Sequence, residues 1–455
     1  MMATDDQSGV SIERLIEKGN SYYESTLKIS ADLLNSFGMT KEARTVTRKL
    51  VVYNPQNDMI AKVSKPLSDS SIALCNLIGP YISKIDKRPD DIQSWLVLSK
   101  AYLMMNDMPN AYTSVSHVIR INNSVPDSIF WYVAGIVYQH YRYFDESLEA
   151  YKLSMDFDPN MPFKSDLLFR KAILLRNTEK YDESISLLHS LMKNPPQSLK
   201  EDDIQFLIAF SYQLSGKNDS AQRLYQDLST KNPNSLQLLQ QFSWFLSLQG
   251  DRNSWSLAER LVLTAPQEFI DDPVLKLVLA RISLKLHDTN TAYQRYKDCL
   301  GTWSDSPLFW CGLGVLYLKN EQFSDAIVAF QRALFLKNDI VEAWLNFGLI
   351  YHKQGDSKNA LRIYETALNN CTSTTLINER INAINNSRSG APSKPFDIVE
   401  IDGSKLFTQV AERISIEFTS SIPLLQSSHL GIGENISYLN QALAVLYIPY
   451  TSIFE

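Results

Sequence analysis

The chain has 455 residues, a formal net charge of −6 and 44% hydrophobic residues, with only 16 Gly against 22 Tyr and 20 Phe. The apolar content suffices for an extended core, the dispersed charge offers no basic face for nucleic acid, and no run reaches the ~18 apolar residues of a membrane span. Four cysteines (Cys75, Cys299, Cys311, Cys371) without a CxxC argue against a disulfide framework or zinc knuckle and fit a reducing compartment.

Residues 1–23 open with the polar, acidic MMATDDQSGV and read as an N-terminal extension, neither secretory signal nor transit peptide. From residue 24 a unit of about 34 residues recurs. The copy at its start carries Ala31, Leu34, Ala43, Leu50 and Pro55; residues 58–91 fit loosely. The copy at 92–125 holds Trp95, Leu98, Tyr102 and Ala111, and that at 128–161 holds Trp131, Gly135, Tyr138, Ser147 and Tyr151. The copies at 165–198 and 202–235 follow, with Leu168, Ala172 and Ser184, then Ala209, Tyr212, Ala221 and Tyr225. Two weaker copies carry Leu239, Phe242, Ser243 and Ala258, with about three extra turn residues expected around 251–254, and Leu279, Ala280, Ala292 and Tyr296. The pattern is fullest at the end. Trp310, Leu313, Gly314, Tyr317, Ala326, Phe330 and Ala333 return as Trp344, Phe347, Gly348, Tyr351, Ala360, Tyr364 and Ala367.

This is the tetratricopeptide (TPR) pattern W-x2-L-G-x2-Y…A-x3-F. Small residues at positions 8 and 20 let two antiparallel helices approach, and large residues at positions 4, 7, 11 and 24 fill the remaining space. One hairpin cannot bury both faces, so hairpins stack. The expected fold is therefore all-α, a TPR superhelical solenoid of about ten hairpins over 24–374. A capping helix is expected at 375–386, a linker at 387–396 (NSRSGAPSKPF begins at 386), and a C-terminal segment at 397–455 with helices near 404–418 and 435–448. The residues leave open whether that segment folds back on the array or docks on a partner.

No GxGxxG, P-loop, HExxH or GxSxG is present. The six histidines fall in unrelated repeats, Cys299 at a helix-packing position, and Cys311 on the groove-facing row. No catalytic, cofactor or metal residues are expected, and the chain reads as a non-enzyme. Binding is the use of such arrays, and positions 2, 5, 9, 12 and 13 of each first helix face the concave side. The groove candidates are Leu96, Lys100, Leu103 and Met104; Ile129, Tyr132, Ile136 and His140; Phe169, Ile173 and Arg176; Phe206 and Phe210; and Trp244. So apolar a wall suits an amphipathic helix of a partner protein; equally, a tightly wound superhelix would bury part of it against neighbouring repeats, and both readings can hold for different residues. An asparagine row at position 6, as in O-GlcNAc transferase arrays, is not apparent: that position is Val97, Val133, Arg170 and Leu207.

Beyond the generic pattern, the string FWC-x-x-GVLY with its following EAW-x-x-x-G-x-I-Y copy, the connection KNPPQSLKEDDIQF and LLQQFSWFL make residues 24–385 resemble the TPR subunit of the fungal Tup–Cyc general transcriptional corepressor, a relative of UTX-type TPR regions. The resemblance implies a nuclear adaptor, with the cytoplasm as a second compartment. It would link DNA-binding repressors to a WD40 corepressor partner and touch neither nucleic acid nor membrane directly. By the same analogy, the WD40 partner meets Lys28, Asp32 and Asn35, the 58–91 copy, and Leu96, Lys100 and Met104. The chain departs from the family in its degenerate 58–91 copy, and in having neither a Gln-rich tract nor a basic nuclear-localisation cluster. The competing reading is a structural TPR subunit of another assembly, such as the anaphase-promoting complex or a ciliary cargo coat. An enzyme completed by 397–455 ranks below both.

Overall fold

The computed structural model describes residues 77–197, 199–286, 289–388, 396–401, 409–420, 423 and 425–430. The 1–23 extension, the copy starting at 24, Lys28, Asp32, Asn35 and the helix expected near 435–448 lie outside them.

Among the described residues the secondary structure is helical, and it follows the repeat. After helical residues 77–87 come α1 (Ile92–Met104), α2 (Met108–Ile121), α3 (Ser128–His140), α4 (Phe144–Phe157), α5 (Lys164–Asn177) and α6 (Tyr181–Leu191). Then follow α7 (Glu201–Leu214), α8 (Asn218–Lys231), α9 (Leu236–Leu248), α10 (Arg252–Leu263), α11 (Pro273–Leu286) and α12 (Thr289–Trp303). Next come α13 (Pro307–Lys319), α14 (Phe323–Leu336), α15 (Val341–Lys353), α16 (Ser357–Asn370) and α17 (Thr375–Arg388). A last helix, α18 (Val410–Ser420), belongs to the C-terminal segment. The described residues divide into two compact units: the first holds those up to Ile204 and those from Ser415 to Leu430, and the second those from Gln205 to Ile414. Helices pair as hairpins, α1/α2 through α5/α6 in the first unit and α9/α10 through α15/α16 in the second, while α8 packs on α9.

The local causes are those the residue types predict. Gly135, Gly314 and Gly348 sit where an added Cβ would lie 2.3 Å from Tyr151, 2.9 Å from Phe330 and 2.2 Å from Tyr364, so only glycine admits the facing ring. Where position 20 is Ser, its hydroxyl stitches the hairpin: Ser147 Oγ donates to the Gly135 carbonyl at 2.8 Å, and Ser184 Oγ to that of Ala172 at 2.7 Å. The repeat tryptophans do more than fill space. Trp95, Trp131, Trp310 and Trp344 each donate the indole N–H to the carbonyl six residues upstream, at 2.7–2.8 Å, and clasp the connection entering the hairpin.

The turns inside the hairpins need a left-handed residue, which elsewhere is usually glycine. Here Gly216 and Gly355 fill two, but Asn106, Arg142, Glu179 and Glu321 hold φ near +60° in four others, so scarce glycine did not hide the turns. One expectation is corrected. The insertion around 251–254 is not an extended turn, because Asp251 caps α10, accepting from Ser254 N at 2.8 Å, and Arg252–Ser254 form its first turn. The lengthened connection lies after α10, where Gln267–Phe269 make a 3₁₀ turn.

Candidate functional site

In each of the two units, described parts of the C-terminal segment lie against position 6 of a first helix. In the second unit, residues 396–401, in no regular secondary structure, lie against α15 and α17. Asn346, fully buried at position 6 of the last copy, donates Nδ2–H to the Val399 carbonyl at 2.8 Å and accepts the Val399 N–H at 2.8 Å. Arg380 donates to the Asp397 carbonyl at 2.8 Å and holds its guanidinium 5.0 Å from the Phe396 ring, whose other neighbour is His352 at 4.6 Å. Lys285 pairs with Glu400 at 3.0 Å. Ile398 and Ile401 sit over a hollow lined also by Arg281, Leu284, Gly312, Val315 and Lys319.

The same logic recurs where α18 begins. Gln241, fully buried at position 6 of the α9 copy, accepts the Ala411 N–H at 3.1 Å and donates to Gln409 Oε1 at 3.0 Å. Gln213 donates to the same Gln409 oxygen at 2.6 Å and accepts from Tyr225 OH at 3.1 Å. In the first unit, position 6 of the α5 copy is Arg170, fully buried, which bonds the Thr419 carbonyl through Nη1 at 2.8 Å and Asp166 through Nε at 2.6 Å. Three position-6 side chains of different chemistry thus grip the main chain of one segment.

Phe169 is fully buried, edge-on to Phe418 at 5.5 Å between centroids. Tyr132 is fully buried, stacked on Phe163 at 5.4 Å, and hydrogen-bonded to Asp166; burial first, then the Asp166 charge, pushes its hydroxyl pKa well up. Leu103, Met104 and Ile136 share a core with Leu425 and Leu430, and Ile129 packs at its edge. His429 lies edge-on to Phe163 at 5.2 Å, its pKa lowered by burial and by Lys100. Lys100 itself is buried and paired with Asp127 at 2.5 Å. In this stretch the apolar wall is therefore covered, by the chain's own Phe418, Leu425, His429 and Leu430.

Other candidates serve the hairpin stack. Leu96 packs with Val115, Val118, Phe130 and Trp131. Phe206 is edge-on to Tyr225 at 6.0 Å, and Phe210, Ile173 and Arg176 are buried. Trp244 is buried beneath the Arg281 guanidinium at 5.0 Å. His140 stays exposed at the end of α3.

Cys311 is fully buried on the groove-side cluster, and burial raises its thiol far above the ordinary range; Cys299 is pushed up to about 11, chiefly by burial. Both are protonated packing thiols near neutral pH. Among the described residues, no cluster of three His, Cys, Asp or Glu could hold a metal ion, and no helix is long and apolar enough to cross a membrane. Reading the sequence missed Asn346, Gln241 and Arg380. The signal for the first two was buried-side polarity at position 6 in copies with otherwise apolar first helices.

Two stretches match models of the tetratricopeptide repeat, residues 203–235 and 341–371. Among solved structures, the chain is similar to a tetratricopeptide repeat protein from Parabacteroides merdae, with 14% identity over 56% of this chain and 98% of that one, at a TM-score of 0.47. It is similar to the APC/C hetero-tetramer Cut9–Hcn1, with 14% identity, 93% and 76% coverage and a TM-score of 0.39. It is also similar to yeast Tom70, with 12% identity, 81% and 97% coverage and a TM-score of 0.36. In fold the protein is a tetratricopeptide solenoid.

Proposed function

We propose that the protein is a non-catalytic interaction scaffold, and specifically a corepressor adaptor that links DNA-bound repressors to a WD40 partner in the nucleus. The observation that carries the scaffold reading is the row of buried position-6 side chains. Asn346, Gln241 and Arg170 each bond a peptide N–H, a peptide carbonyl or both, and this is how a groove holds a polypeptide whatever its sequence. Repeat arrays offer extended concave faces for such binding. The narrower reading rests on the FWC-x-x-GVLY wording around Cys311 and the copy that follows it. Lys28, Asp32 and Asn35, with Leu96, Lys100 and Met104, would be the WD40-docking side.

Affinity purification of the tagged full-length chain with mass spectrometry tests this. A WD40 protein recovered together with sequence-specific transcription factors supports it; recovery of neither defeats the corepressor role. Imaging of the tagged chain tests the compartment, and exclusion from the nucleus counts against the same role.

A further inference from the structure

We infer that the groove of the last hairpins is a receptor for peptide segments in which acidic residues are interspersed among apolar ones, and that residues 396–401 (Phe-Asp-Ile-Val-Glu-Ile) are its built-in occupant. The inference rests on reading the array as a scaffold and names the ligand class for one of its surfaces.

The groove itself sets the requirement. Asn346 is fully buried and Arg380 is 9% exposed, and in both, polar atoms face the groove. Left without partners, such groups cost about 1–3 kcal/mol each, so the site calls for an occupant that carries peptide groups. Val399 supplies both an N–H and a carbonyl to Asn346, a pairing that any residue except proline offers. Specificity comes from the flanks. Phe396 sits between Arg380 and His352, which selects an aromatic ring at that place. Ile398 and Ile401 line the hollow together with Leu284 and Val315.

The rim is basic although the chain is acidic: Arg281, Lys285 and Lys319 surround the hollow, and Lys285 takes Glu400. The occupant is lightly seated. Asp397 and Glu400 are exposed, and Phe396, Ile398, Val399 and Ile401 are each only partly buried. A core segment would be covered on both sides; this one keeps an outer face in solvent, as a bound ligand does. A tethered occupant acts at an effective concentration of order millimolar, so a partner peptide of the same chemistry competes with it.

The test uses the full-length chain and a fluorescent peptide spanning residues 394–403, read by anisotropy. Ile398→Asp with Val399→Pro displaces the built-in segment without touching the array. This variant should bind the peptide at least tenfold more tightly than wild type, and adding Asn346→Ala should remove the gain. A peptide with proline at the Val399 place should not bind. Glu400→Lys, a milder release, guards against misfolding and should give a smaller gain in the same direction. The inference is overturned if released variants with wild-type circular dichroism bind no better than wild type, or if Asn346→Ala binds equally well. It is also overturned if the released chain forms a dimer that excludes the peptide, because the occupant is then the segment of a second copy. If partners captured by affinity purification are indifferent to excess peptide, the scaffold reading stands and this one falls.

Discussion

Glycine at position 8 makes a claim that one pair of substitutions can break. A Cβ at Gly348 would lie 2.2 Å from Tyr364 Cε1 and 2.5 Å from Cζ, far inside van der Waals contact. The ring cannot easily retreat. Tyr364 is fully buried, and its hydroxyl lies 3.4 Å from both the Leu345 carbonyl and Arg380 Nη1. So severe an overlap belongs at the upper end of overpacking costs, about 3 kcal/mol. Replacing glycine by alanine within a helix returns about 1 kcal/mol. Gly348→Ala should therefore destabilise the second unit by about 2 kcal/mol. Gly301, in α12, has no atom within 4 Å of its would-be Cβ, so Gly301→Ala keeps only the helical gain and should stabilise by up to about 1 kcal/mol. Urea unfolding followed by circular dichroism, with hydrogen exchange of α15 and α16, reads both. Equal or greater stability for Gly348→Ala, or shifts of the same sign for the two variants, would refute the reasoning.

Trp131→Phe keeps the ring but loses the bond to the Val125 carbonyl. It should cost about 1 kcal/mol in the first unit, read as a lower urea midpoint. Arg142 holds φ +61° without being glycine; Arg142→Gly should stabilise by about 0.5–1 kcal/mol, measured the same way. His352 has its pKa lowered, first by burial and then by Arg380. Above the ordinary histidine value of about 6.5 both folded and unfolded chains carry it neutral, and the shift has no effect. As pH falls through that value the unfolded chain takes up the proton first, so stability drops. Thermal unfolding at about pH 7.5 and about pH 5.5 should show this loss, reduced in His352→Gln, and an unchanged loss in that variant would assign the acid sensitivity elsewhere.

The hairpins were legible because their contacts are local. Gly348 and Tyr364 are 16 residues apart, and the spacing recurs between Gly135 and Tyr151 and between Gly314 and Phe330. The chain's own cover over the groove was not legible, because its pairs have no period. Asn346 meets Val399 at a separation of 53 residues, Gln241 meets Ala411 at 170, and Arg170 meets Thr419 at 249. Position 6 misled for a related reason. It is apolar in the copies with Val97, Val133 and Leu207, so no polar row stands out until the folded chain shows what Arg170, Gln241 and Asn346 hold in common. Tyr132 and Phe169 fall where an apolar wall was expected, yet nothing in their own repeats announces the Asp166 hydroxyl bond or the Phe418 ring. The shift of Ala258 was visible as an irregular spacing; that α10 absorbs it as helix depends on the Asp251 cap.

The tryptophan clasps have a use beyond stability. Trp95, Trp131, Trp310 and Trp344 each bind a carbonyl of the connection leading into their own hairpin, and Trp255 does the same within the fifth described hairpin, donating to Gln249 at 2.6 Å. An indole whose N–H leaves a carbonyl for water changes its emission. The chain therefore carries native optical probes at separate joints of the array, and the order in which they respond to denaturant gives the order in which the joints come apart.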